Sequence, residues 1–175
     1  MTRPSYSLLI GLALTAHEGV GQGARYRPTE THHQGRDIVA IVIGSSQCGF
    51  STWSKYMAVI DPMLRTLQDR ARARGFGFTA VSVAVDDPAD SGYAYLKRLT
   101  DFDEILTGRQ WLNTGLIHFL WPDSTITPAT PELIIVARRF DDGVLGPRGV
   151  RTERLFFAQG VDSIMAFAKR GAPLP

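Results

Sequence analysis

The reactive candidate in this 175-residue chain is Cys48, its single cysteine. It stands in Cys48-Gly49-Phe50-Ser51, just after an apolar run and the polar loop Gly44-Ser45-Ser46-Gln47. At a strand-to-helix turn, free N–H groups and the partial positive charge of the helix start favour the thiolate, the form that attacks disulfides. One cysteine limits this chemistry to mixed disulfides with a partner or a small thiol. It excludes an internal disulfide framework, a Cys-rich zinc site and a same-chain dithiol pair. Ser51 lies one helical turn on and can donate a hydrogen bond to the sulfur. Without an adjacent base its hydroxyl is a poor nucleophile. The inert reading stands beside the reactive one, since free cysteines are often small buried hydrophobes.

The elements that must position this thiol follow from periodicity. Residues 38–43 read I-V-A-I-V-I, a β-branched run buried on both faces as in a parallel sheet. Helical composition starts near Gly49 and continues to Arg74, with a kink or restart expected at Asp61-Pro62 and a stop at Gly75. The cations Arg65, Arg70, Arg72 and Arg74 crowd the end of that helix, where the helix dipole favours them. Residues 76–85 form a second strand, ended by Asp86-Asp87-Pro88. Helices are expected over 91–99 and 110–121, with a short strand at 102–106 between them. A Pro/Thr-rich loop, 122–131, leads into a strand at 133–137. The turn Asp141-Asp142-Gly143 links this to a strand at 154–158. In the last helix Val161, Ile164, Met165 and Ala168 share one face. Strands separated by helices imply right-handed parallel crossovers, and the final pair implies an antiparallel hairpin.

A β–Cys-x-x–α unit, a proline (Thr130-Pro131) entering a later strand, and a closing hairpin and helix together resemble the thioredoxin-like superfamily, over roughly residues 37–170. The extra helix–strand–helix material between Phe76 and Pro131 is more similar to the larger extracytoplasmic TlpA-like relatives than to a minimal thioredoxin. The resemblance implies an α/β thioredoxin-like fold, a central mixed sheet flanked by helices. It makes Cys48 the nucleophile and Pro131 a cis-proline lying against it. Gly49, Phe50, Thr130 and Pro131 become the surface that binds a protein or small-thiol partner. Ser51 takes the place of the resolving cysteine, and Val42 the place of the buried acid. No cofactor or metal is implied.

Other motifs point elsewhere. Cys48-Gly49-Phe50-Ser51 also resembles the C-G-F-S of monothiol glutaredoxins that bind an iron–sulfur cluster, with Gly160-Val161-Asp162 resembling their glutathione-carboxylate segment. That family has a lysine before the motif, where this chain has Gly44-Ser45-Ser46-Gln47, and T-V-P where it has Ala129-Thr130-Pro131. Ser45-Ser46-Gln47-Cys48 fits the S/T-x-x-C of peroxiredoxins, but Ile41 replaces their upstream proline. Gly44 and Gly49 have P-loop spacing, yet Phe50 stands where the phosphate-binding lysine must be. Gly75-Phe76-Gly77 precedes a strand instead of following one, so it is no dinucleotide fingerprint. Two function readings result: a monothiol redox protein forming mixed disulfides, or a redox-inactive thioredoxin-fold module that binds another protein through the Cys48/Pro131 face.

Residues 1–24 are compositionally separate. Arg3, the apolar run 8–16 and Gly21-Gln22-Gly23-Ala24 follow the order of a secretory signal, the alternative being an N-terminal extension packed on the domain. Export places the protein outside the cytoplasm. The apolar run falls short of the roughly 18 residues of a membrane span. Residues 25–36 are a polar connector whose His32-His33 pair points to opposite sides of an extended chain, unsuited to one metal. The domain is 37–175. A net charge of +2 is too balanced for a nucleic-acid surface.

Overall fold

A computed structural model describes residues 35–143 and 146–174. The signal-like segment 1–24, the connector up to residue 34 and the His32-His33 pair lie outside the described residues.

The β-branched run becomes β1 (Arg36–Gly44), buried from Asp37 to its end. It pairs in parallel with β2 (Gly77–Ala84), Ala40 opposite Ala80, and antiparallel with β4 (Glu132–Gly143), Val39 opposite Val136. The short β3 (Glu104–Leu106) lies parallel beside β2, and β5 (Gly146–Gln159) antiparallel beside β4. The sheet order is β3-β2-β1-β4-β5. Side chains alternate across this sheet, so β1 supplies both halves of the core. Ile38, Ala40 and Val42 face α1 (Ser54–Ala73), α2 (Ala89–Leu96) and α4 (Val161–Lys169). Val39, Ile41 and Ile43 face Leu116 of α3 (Thr114–Phe119) and the neighbouring Leu120. Parallel β1–β2, a return through β4 into a terminal hairpin and a closing helix make this a thioredoxin-like fold, as the sequence predicts.

Several boundaries differ from expectation. The first helix begins at Ser54, not near Gly49. Residues 48–52 form turns in which both the Thr52 N–H (3.0 Å) and its hydroxyl (3.1 Å) take the Cys48 carbonyl. Trp53, extended at φ −64° and ψ 124°, separates these turns from the helix. No restart occurs at Pro62, which lies inside α1. An interior proline removes the N–H that would bond the carbonyl four residues back. Here Pro62 lies on the exposed side of α1, with Ala58 exposed one turn before it. The expected 110–121 helix divides into a 3-10 turn at Gln110–Leu112 and α3, because Asn113 is extended and caps α3 through Gly115 N–H at 2.8 Å. The second helix begins at Ala89 and ends at Leu96. Asp141-Asp142-Gly143 belongs to β4 instead of a turn, with Gly143 paired to Gly146, so the hairpin reaches further than the strand expected at 154–158.

Candidate functional site

Cys48 leaves the end of β1 through Ser45-Ser46-Gln47. This loop is held by Asp86, a buried carboxylate just past β2. Asp86 accepts hydrogen bonds from the Ser46 N–H at 3.0 and 3.1 Å, from the Ser46 hydroxyl, and from the Ser45 hydroxyl at 3.4 Å. Below the loop, Tyr95 of α2 donates from its buried phenol to the Ser51 carbonyl at 3.3 Å. Burial holds that phenol above its usual range, so it remains a donor. Gly44 makes room for it: a Cβ there would lie 2.3 Å from the Tyr95 hydroxyl.

The Cys48 thiol is partly exposed. Its Sγ donates to the Thr130 carbonyl oxygen at 3.4 Å. Thr130–Pro131 is a cis peptide, as is Asp87–Pro88. Burial alone pushes the Cys48 thiol up. Hydrogen bonding by the Thr130 side chain, the Ser51 N–H and hydroxyl, and the Phe50 N–H outweighs it, and the net shift is downward. The anion-favouring groups are therefore those of the 48–53 turn and the facing loop. The first turn of α1, which the sequence assigns this role, starts only at Ser54. Ser51 is fully buried, and its hydroxyl makes no well-aligned hydrogen bond while lying close enough to Cys48 to favour the thiolate.

An open groove of about 730 Å³ lies between the turn after Cys48 and the Thr130–Pro131 loop, with Cys48 itself outside its lining. Gly49, Phe50 and Trp53 form one wall, Thr130 and Pro131 another, and the 159–163 segment at the start of α4 closes it. Phe50 is 68% exposed and Trp53 40%. Of the six residues singled out from the sequence, Gly49, Phe50, Thr130 and Pro131 line this groove, Cys48 meets the Thr130 carbonyl outside it, and Ser51 is fully buried. Sequence reasoning missed Asp86, read only as the end of a strand, and Tyr95, whose role needs Gly44 beside it. It also missed Glu132, a charged residue opening an apolar strand, which was the one available signal. Val42 is buried, and among the described residues the buried carboxylates are instead Asp37, Asp86 and Glu132.

Asp37 lies at the far end of β1, where Thr79 donates to it at 2.6 Å and Arg138 at 2.7 Å. Among the described residues, no cluster of His, Cys, Asp and Glu could hold a metal ion, and no helix is long and apolar enough to cross a membrane.

No protein-family model matches the chain, and no curated protein matches it. Solved structures do resemble it. A thiol:disulfide interchange protein from Bacteroides sp. is 18% identical at a TM-score of 0.37, and the match spans 57% of each chain. A thioredoxin-family thiol:disulfide interchange protein from Chlorobium tepidum TLS is 15% identical at 0.34, over 81% of this chain and 82% of that one. BsSco, a member of the Sco family of cytochrome c oxidase assembly proteins in which a disulfide switch was identified, is 14% identical at 0.32, over 79% and 81%. The thioredoxin-like assignment of this chain rests on its own sheet order and connections.

Proposed function

We propose that this chain is a monothiol redox protein in which Cys48 forms mixed disulfides with a protein or small-thiol partner. The observation that carries this reading is the sulfur itself: partly exposed, set against Thr130, and shifted toward the thiolate by neighbouring hydrogen bonds. In the exchange, the Cys48 thiolate attacks one sulfur of a partner disulfide. A Cys48–partner S–S bond forms, the partner's own S–S bond breaks, and the released thiolate takes a proton from water. Gly49, Phe50, Thr130 and Pro131 line the groove that receives the partner segment, as the thioredoxin-like resemblance implies for these positions. Ser51 stabilises the attacking anion and cannot resolve the adduct, so release requires an external thiol.

Extracytoplasmic location belongs to the same proposal. There disulfide partners persist, whereas the cytosol keeps thiols reduced. Cell fractionation tests it.

The experiment for the function is alkylation of the native protein across pH, with mass-spectrometric trapping of disulfide adducts at Cys48. Labelling below the usual thiol range, and adducts that last until a thiol is added, support the reading. A Cys48 that labels only after unfolding overturns it and leaves the redox-inactive binding module in its place.

A further inference from the structure

Glu132 is the first residue of β4, directly after Pro131, and it is fully buried. It pairs with Ile43 on β1 and Gln159 on β5. The next residues on its face, Ile134 and Val136, belong to the apolar layer with Ile41 and Ile43. A carboxyl group in such surroundings is costly unless hydrogen bonds compensate. One oxygen has them: Oε1 accepts from the Ala129 N–H at 2.9 Å and from Gln159 Nε2 at 2.8 Å. The same Gln159 amide also donates to the Thr127 carbonyl at 2.6 Å. The other oxygen, Oε2, has no partner. Burial pushes this carboxyl up, against the pull of the two bonds.

The sheet itself does not require a carboxyl here. The residues after Glu132 in β4 are apolar through Ala137, and an apolar side chain would fill the layer as well. What the carboxyl holds is the loop. With Gln159 it ties the backbone at Thr127 and Ala129, while the Gly160 N–H ties Pro131 at 2.8 Å. The residue between these anchors is Thr130, whose carbonyl meets the Cys48 sulfur.

We propose that Glu132 is a positioning residue for the chemistry at Cys48: together with Gln159 it latches residues 127–131, so that Thr130 and Pro131 stand against the sulfur. Glu132 acts through the loop. The inference rests on the reading of Cys48 as the reacting thiol.

The test uses the full chain and the variants Glu132→Ala, Glu132→Gln and Gln159→Ala. Three quantities are read: exchange with a peptide disulfide, the pH midpoint of Cys48 alkylation, and hydrogen exchange of the Ala129 amide. Both alanine variants should slow peptide exchange about tenfold, since small misplacements of reacting groups carry large rate effects. They should also move the alkylation midpoint up towards an ordinary thiol, because the Thr130 side chain that the latch places is among the groups favouring the thiolate. Glu132→Gln should restore most of the rate, because its side-chain carbonyl accepts the same two bonds. If Glu132→Ala does not fold, Gln159→Ala decides, since Gln159 is exposed. A folded Gln159→Ala with unchanged exchange rate and midpoint overturns the proposal. If wild-type Cys48 is itself unreactive, the proposed function alone fails. The latch is then judged by the Ala129 amide, which Glu132 holds: it should exchange faster in Glu132→Ala, or in Glu132→Leu if the alanine variant does not fold, and unchanged protection there would overturn the latch.

Discussion

Cys48 and Thr130, 82 residues apart in the chain, meet at 3.4 Å between sulfur and carbonyl oxygen. The contact joins the loop after the first strand to the loop before the fourth. The Thr130 side chain and the Ser51 and Phe50 groups around the sulfur favour the thiolate, so alkylation of Cys48 should rise with pH through a midpoint below that of an ordinary thiol. The same downward shift favours the folded state above the unfolded thiol's pKa, and that contribution is lost as pH falls through the folded one. Cys48→Ala should remove this part of the pH dependence of stability, read from denaturant midpoints across pH.

Asp86→Ala should destabilise the fold by about 2 kcal/mol, because it removes a charged acceptor and leaves the Ser46 N–H without its partner. Asp86→Asn should lose less. The loop holding Cys48 should loosen in both, so amide exchange at Ser46 should accelerate. A normal Ser46 amide in Asp86→Ala would show that the loop is held by something else.

Gly44→Ala places a Cβ against the Tyr95 phenol and must displace a buried ring. Overpacking of this kind costs about 1–3 kcal/mol. Because Tyr95 also holds the Ser51 carbonyl, the Cys48 alkylation rate should change along with the denaturation midpoint.

Phe50→Ala separates binding from folding. The ring is mostly exposed, so stability should stay within about 0.5 kcal/mol of wild type. Exchange with a peptide disulfide should fall severalfold, while alkylation by a small reagent should not. Equal loss of both rates would place the partner outside this groove.

Much of this arrangement was readable in the residues. The unbroken run 38–43 could only be a strand covered on both faces, and Cys48 and Pro131 could be placed at its end through the thioredoxin-like resemblance. The missed features share a cause, which is that each depends on a neighbour distant in sequence. The identity of Asp86 carries no sign of Ser46, nor that of Glu132 any sign of Gln159. Pro62 signals a break by its type, yet the outcome was decided by which face of α1 it occupies. The helix start was misread because Trp53 is extended just before Ser54, a backbone conformation that composition does not register.

The pairing of β1 also sets an order in time. Asp37 finds its β2 partner at Gly77, but Arg36 waits for Arg139 on β4. Pairing Arg36 with Arg139 closes a far longer loop than pairing Asp37 with Gly77, at a somewhat greater entropic cost. During synthesis Cys48 is complete long before Thr130 exists, so the thiol first meets its surroundings without the wall it will later stand against. In a chain that stops before β4 the 48–53 turn could still offer its N–H groups to the sulfur, but the Thr130 side chain and carbonyl that complete its surroundings would be absent.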